Sequence, residues 1–206
     1  MSQLTTGIHA ILGNPKMYDV FQNIIGANKF RSIYANEYVA LNGTERILDI
    51  GCGTARILDY LPATVDYIGF DASSDYIAAA KAHFGERGQF ICQYVDEMAI
   101  EDMGKFDIVM ANGLIHHLND AEVTNLCRIS SIALRDGGRM VTHDPCFSNM
   151  QSRLADYIIS RDRGQNVRFG EGYAALLHPF FREVNLNIRH DMLNIPYNHA
   201  IIIGRK

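Results

Sequence analysis

"RILDIGCGTARILDYL", residues 46–61, runs from an apolar stretch through an acid and two glycines into a second apolar stretch. The first run is short and β-rich, and the second repeats its apolar residues at helical spacing, so the passage predicts a strand, a tight turn and a helix "ARILDYL". Gly51 and Gly53 let backbone approach a bound group closely. In open α/β sheets ligands bind beyond the carboxyl ends of the strands, which makes this turn the first candidate site.

The same alternation continues outward. Strands are predicted at 66–70, 89–95, 106–111 and 138–143, with helical patterns between them. "SSDYIAAAKAHF" (73–84) opens on Ser73 or Ser74 as cap. "NDAEVTNLCRISSIALRDGG" (119–138) opens on Asn119 or Asp120, turns Val123, Leu126 and Ile129 to one face, and has Gly137 as a left-handed stop. "EVNLNIRH" (183–190) and "HAIIIGRK" (199–206), separated by "NIPYN", suggest an antiparallel pair closing the sheet. Residues 17–41 read as one or two helices with no strand after them, a lid or flank.

Composition excludes several classes. A chain of 206 residues, 48% hydrophobic and 20% charged, fits one globular domain. It divides into a helical flank (1–44), a ligand-binding core (45–145) and a second-substrate segment (146–206). A net charge of −4 with a pI near 6.0 offers no basic face for nucleic acid. No apolar run approaches the roughly 20 residues that cross a bilayer, and the N-terminus has no signal-peptide pattern, so a soluble cytoplasmic protein is expected. Cys52, Cys92, Cys127 and Cys146 have no CxxC spacing, and the eight histidines no HxH or HExxH. No metal site is expected.

Charge then selects the ligand of the glycine turn. A dinucleotide turn asks for glycine where Arg56 stands, and Asp49 would repel a pyrophosphate at about 5 Å by roughly 3 kcal/mol at an effective dielectric near 20. A cationic ligand reverses that sign. S-adenosylmethionine carries an ammonium and a sulfonium and no phosphate, and Asp71, 20 residues beyond Gly51, can accept hydrogen bonds from both of its ribose hydroxyls.

Together "ILDIGCGTARIL", "YIGFDASSDYI", "FDIVMANGLIHHL" and "LRDGGRMV" resemble, in order and separation, the class I S-adenosylmethionine-dependent methyltransferases. The resemblance implies a Rossmann-like, doubly wound α/β sheet of seven strands, mostly parallel with the last antiparallel, under an N-terminal helical lid. It also implies that Asp49, Gly51, Cys52 and Gly53 line the methionine end of the cofactor. Asp71 and Ala72 would meet the ribose, Val95 and Asp96 the adenine, and Asn112 the neighbourhood of the sulfonium. Ala55 replaces the commonest third glycine. On the flank, Tyr18 is a candidate to close over the cofactor, with core packing as the alternative reading, and Arg31 to reach the cofactor's carboxylate, with a solvated charge as the alternative; Asp96 alternatively serves as a helix cap.

The acceptor pocket is expected after the fifth strand. There Arg161, Arg163 and Arg168 cluster around Gly164 and could clamp an anionic acceptor. For a base, "GLIHHLND" offers His117 first and His116 second, since adjacent side chains should not point the same way, and Asp144 is the next choice. The expected activity is methyl transfer to oxygen or nitrogen of a small molecule. A non-catalytic S-adenosylmethionine-binding subunit and a nicotinamide-dependent oxidoreductase are the alternatives.

Overall fold

A computed structural model describes residues 24–149, 152–161 and 164–206. Five parallel strands lie side by side: β1 (Arg46–Ile50), β2 (Asp66–Asp71), β3 (Gln89–Cys92), β4 (Phe106–Asn112) and β5 (Leu134–Phe147). A two-residue strand, β6 (Arg168–Phe169), pairs with the far end of β5. β7 (Glu183–Arg189) and β8 (His199–Arg205) form the expected antiparallel pair, and the spatial order is β3-β2-β1-β4-β5-β8-β7. β8 is antiparallel to both of its neighbours. The order turns back on either side of β1 and β4, and there the carboxyl ends open a crevice.

Alternation along the strands sorts the side chains into two cores. Leu48, Phe70, Val109, Met140 and Ile202 pack on one face of the sheet, and Ile47, Tyr67, Met110, Val141 and Ile201 on the other. The second face is covered by α1 (Ala27–Ile33), which continues as a π-helical turn over Tyr34–Val39. Its aromatic stripe Phe30, Tyr34, Tyr38, four residues apart, is buried there. π-Turns often sit at functional sites, and this one begins beside the crevice, where Tyr34 meets Asn112.

α2 (Ser74–Phe84) is capped by Ser73, whose hydroxyl accepts from the Tyr76 N–H, and leads through β3 to the short α3 (Glu97–Glu101). α4 (Asp120–Ala133) opens on a capping box of Asn119 and Glu122. Three expectations are corrected. "ARILDYL" forms only a 3-10 turn over Arg56–Tyr60, because Pro62 holds Leu61 extended (φ −97°, ψ 149°) and forbids a further turn. β3 stops at Cys92 rather than at 95, because its neighbour β2 ends at Asp71, whose carbonyl takes the last cross-strand bond, from the Gln93 N–H at 3.1 Å. Gly137 (φ 75°) does not end α4. The helix stops at Ala133 when Leu134 enters β5 opposite Phe106, and Gly137 serves the irregularity that lets residues 135–138 loop out before Arg139 pairs with Ile108.

Beyond the sheet edge, α5 (Arg153–Ser160), β6 and α6 (Gly170–Leu177) build the segment assigned to the acceptor. Tyr173 of α6 is wholly buried and donates to the Pro145 carbonyl at 3.0 Å, tying this segment to β5.

Candidate functional site

The turn after β1 is held by its own backbone. The N–H groups of Gly51 and Cys52 both donate to the Phe70 carbonyl, at 2.8 and 2.9 Å, and the Gly53 N–H donates to Asp71 Oδ2 at 2.9 Å. Gly51 and Gly53 have φ of 75° and 55°, in the left-handed region that favours glycine. A Cβ on Gly53 would meet nothing within 4 Å, so the turn faces open space. Ala55 adopts φ 55° with its methyl buried, which fits the family pattern's preference for glycine there. The Cys52 thiol rests against Gly69, and burial, with the charges of Asp49 and Asp71, pushes its pKa up, so it is no nucleophile.

Two carboxylates flank the turn in different environments. Asp71 accepts from the Gly53 N–H on one oxygen and from the Ser73 N–H (2.8 Å) on the other, which fixes its plane and leaves further lone pairs for hydroxyls. Asp49 is 1% exposed. Its Oδ2 accepts from the Tyr67 hydroxyl at 2.6 Å, while its buried Oδ1 has no hydrogen-bond partner among the described residues. Burial raises its pKa to about 6, with the Tyr67 bond opposing and the Asp71 charge adding. A buried acceptor without a donor is costly, and an ammonium group would supply the donor and the charge.

A folded pKa above the unfolded value means that the folded chain holds the extra proton between about pH 4 and pH 6. Stability of the ligand-free protein therefore falls as pH rises through that window, by about 3 kcal/mol in all. Asp49→Asn should thus raise the ligand-free Tm by several degrees near neutral pH and not at about pH 4. In the wild type, cofactor affinity should weaken about tenfold per unit as pH drops below about 6, because the bound form needs the carboxylate. Scanning fluorimetry and calorimetry across pH check both.

On the same sheet face, Asn112 ends β4 next to His143 of β5. The Tyr34 hydroxyl donates to Asn112 Oδ1 at 2.6 Å, and the ring of Tyr34 meets His143 edge-on at 4.8 Å. Burial, helped by His199, His116 and Arg31, pushes the His143 pKa well below its ordinary value and keeps it neutral. Arg31 therefore stands close enough to this wall for its charge to be felt. It also donates to Asn28 at 3.4 Å. Val95 packs half-buried against the core, and Asp96 is exposed and caps α3, accepting from the Ala99 N–H at 2.8 Å. Ala72 is exposed beside Asp71. Tyr18 lies outside the described residues, as does Arg163.

The histidine pair occupies a 3-10 turn, Ile115–His117. Its imidazoles lie 4.0 Å apart, not directed away from each other as adjacent side chains in a wider turn would be, because the His117 N–H closes tightly on the Leu114 carbonyl. The geometry distinguishes them. His116 is buried, its Nδ1 is 2.7 Å from Asp144 Oδ1, and its backbone N–H donates to the same oxygen at 3.0 Å. Asp144, 2% exposed, has its second oxygen 3.0 Å from the Thr142 hydroxyl. A carboxylate only accepts, so Nδ1 carries the proton and Nε2 the lone pair. This pairing favours His116 over His117 as a base.

Gly164 closes over this dyad. A Cβ there would sit 2.0 Å from His116 Cδ2 and 2.7 Å from the His116 carbonyl. Gly164→Ala should cost about 1–3 kcal/mol by overpacking, visible as a Tm drop of several degrees.

Among the described residues, Arg161 and Arg168 do not come together as a clamp. Arg168 donates from all three nitrogens to Asp120 (2.6 Å), Leu118 (2.9 Å), Asn166 (2.9 Å) and Ile115 (3.4 Å), so it braces the histidine turn against β6. Arg161 lies over the Tyr157 ring at 5.3 Å. The residues that sequence reasoning missed are Tyr34, Tyr67 and His143. The i,i+4 aromatic stripe of "FRSIYANEY" was the available signal for Tyr34.

Fold, glycine turn and paired acids resemble those of the class I S-adenosylmethionine-dependent methyltransferases. Residues 47–138 match the family described as "Methyltransferase domain". The chain is 29% identical to the mouse (Mus musculus) N-terminal Xaa-Pro-Lys N-methyltransferase 1 over 57% of this chain and 55% of that protein. It is 35% identical to the ubiquinone biosynthesis O-methyltransferase of Bradyrhizobium sp. over 47% and 38%. In fold it resembles human N-acetylserotonin methyltransferase in complex with S-adenosylmethionine, at TM-score 0.66 and 17% identity, covering 97% of this chain and 58% of that one. The chain thus spans about half or less of the curated relatives it matches. A nicotinamide-dependent oxidoreductase is set aside by these matches. Among the described residues no helix is long and apolar enough to cross a membrane.

Proposed function

We propose that this chain transfers a methyl group from S-adenosylmethionine to an oxygen or nitrogen of a small-molecule acceptor. The observation that carries the reading is Asp49, a buried carboxylate with an orphaned oxygen behind a glycine turn, opposite a second carboxylate held by the turn's backbone. That pair suits a ligand with an ammonium and a ribose and repels a pyrophosphate.

When bound, the cofactor supplies an activated methyl on its sulfonium, and in-line displacement then needs mainly positioning. Asp49 holds the ammonium and Asp71 the ribose hydroxyls. Gly51, Cys52, Gly53 and Ala72 line the seat, Val95 and Asp96 flank the adenine, and Arg31 reaches the carboxylate. Tyr34 fixes the Asn112 amide at the rim. His116 Nε2 takes the acceptor's proton while Asp144 holds the imidazole in the required tautomer. A net charge of −4 weighs against a nucleic-acid acceptor, and a cytoplasmic location fits this reading.

The test is formation of S-adenosylhomocysteine from S-adenosylmethionine with phenols and amines offered alongside a peptide beginning Xaa-Pro-Lys. Turnover with a small molecule supports the proposal. Turnover with the peptide alone moves the acceptor to protein N-termini, and cofactor binding without turnover on any acceptor points to a non-catalytic subunit.

A further inference from the structure

Beyond the last paired residue of the main sheet, β5 runs on to Phe147, and there the chain forms a recess that the cofactor seat does not use. It measures about 240 Å³ and is lined by Phe147, Ser148, Asn149, Arg153, Asp156 and Phe169. The rings of Phe147 and Phe169 stand 6.0 Å apart at 48°, a wedge that presents two aromatic walls. Parallel pairing of β6 with β5 sets both rings in place. Arg153 and Asp156, one turn apart at the start of α5, bring a cation and a carboxylate to the same recess.

Two further observations point to a ligand. Phe169 is 50% exposed, so a large apolar ring of the recess wall is left in water. Among the described residues the Arg153 guanidinium makes no hydrogen bond or ion pair, whereas Arg168 has its nitrogens committed to the fold. Apolar walls with an uncommitted guanidinium complement a planar ring that carries an acid.

We propose that this recess seats the far end of the methyl acceptor, an aromatic ring bearing a carboxylate, with Arg153 taking the carboxylate and Phe147 and Phe169 enclosing the ring. The assignment rests on the methyltransferase reading for its role and on the recess for its chemistry. It also sets a length. From His143 at the sheet edge to Phe147 the extended chain covers about 13 Å, so an acceptor anchored here and reacting near Asn112 is elongated.

The experiment uses the full chain and two probes, 4-hydroxybenzoate and its methyl ester, which share the ring and differ in charge. Calorimetry or saturation-transfer NMR should show the acid binding about tenfold or more tightly than the ester. Arg153→Gln should abolish that difference, and Phe169→Ala should weaken both probes by about tenfold. Both positions are on the surface, and S-adenosylhomocysteine binding, unchanged in either variant, certifies the fold. Equal binding of acid and ester to wild type, a preference that survives Arg153→Gln, or no binding of the acid overturns the proposal. The probes are read without cofactor, so a chain that binds S-adenosylhomocysteine and ignores the acid refutes the recess alone. One that binds the acid and no cofactor refutes the methyltransferase reading instead.

Discussion

Asn at position 116 is expected to lower kcat by roughly 10²–10⁴ while cofactor affinity stays within about threefold. The size follows from the dyad. Asp144 accepts from both the backbone and Nδ1 of His116, so the imidazole is held in one tautomer with its basic nitrogen turned away from the carboxylate. Asn cannot take up the acceptor's proton, and the acid limb that imidazole protonation imposes on wild-type kcat should vanish with it. His117→Asn, lacking the Asp144 partnership, should keep most of kcat. Steady-state kinetics of the two variants across pH separate the roles; near-native turnover in His116→Asn would remove the dyad from the mechanism and make Asp144 the residue to examine alone.

The loss expected for Asp71→Ala is as large and falls on binding instead. Two charge-assisted hydrogen bonds to ribose hydroxyls, at about 1.5–3 kcal/mol each, correspond to roughly a hundredfold or more in Kd for S-adenosylmethionine and S-adenosylhomocysteine alike. A second effect compounds the first, because the same carboxylate accepts from the Gly53 and Ser73 N–H groups. Alanine would release the glycine turn as well as the ribose. Asp71→Asn can still accept on one oxygen, so it should bind between wild type and alanine. Calorimetry on the three proteins orders them; equal affinity in all three would place the ribose elsewhere.

The juxtaposition of the glycine turn with its two carboxylates was legible because it is built locally. An acid, two glycines and a second acid at fixed separation lie on consecutive strand ends, and strand order alone brings Asp49, Gly53 and Asp71 together. The antiparallel pair was readable for a similar reason, since two β-rich runs flank one turn. What escaped depends on contacts that no local pattern carries. Tyr67 reads as an ordinary core strand residue until the register places its hydroxyl on Asp49. His143 precedes Asp144, and only the pleat of β5 sends one toward Tyr34 and the other toward His116. The arginines show the opposite failure. Nearness in sequence suggested a clamp, but Arg168 is bound to carbonyls 50 or more positions away, which tertiary packing alone determines. The missing helix after β1 was recoverable, since Pro62 was in view and its effect on Leu61 outweighs the apolar spacing of "ARILDYL".

The central claim is that the buried Asp49 and the braced Asp71 form a seat for a cationic nucleoside donor, and titration calorimetry of the wild-type chain tests it most directly. Saturable, one-to-one, micromolar binding of both S-adenosylmethionine and S-adenosylhomocysteine, with no heat from a nicotinamide dinucleotide, is the expected result. Binding of the dinucleotide with indifference to both S-adenosyl ligands would contradict it.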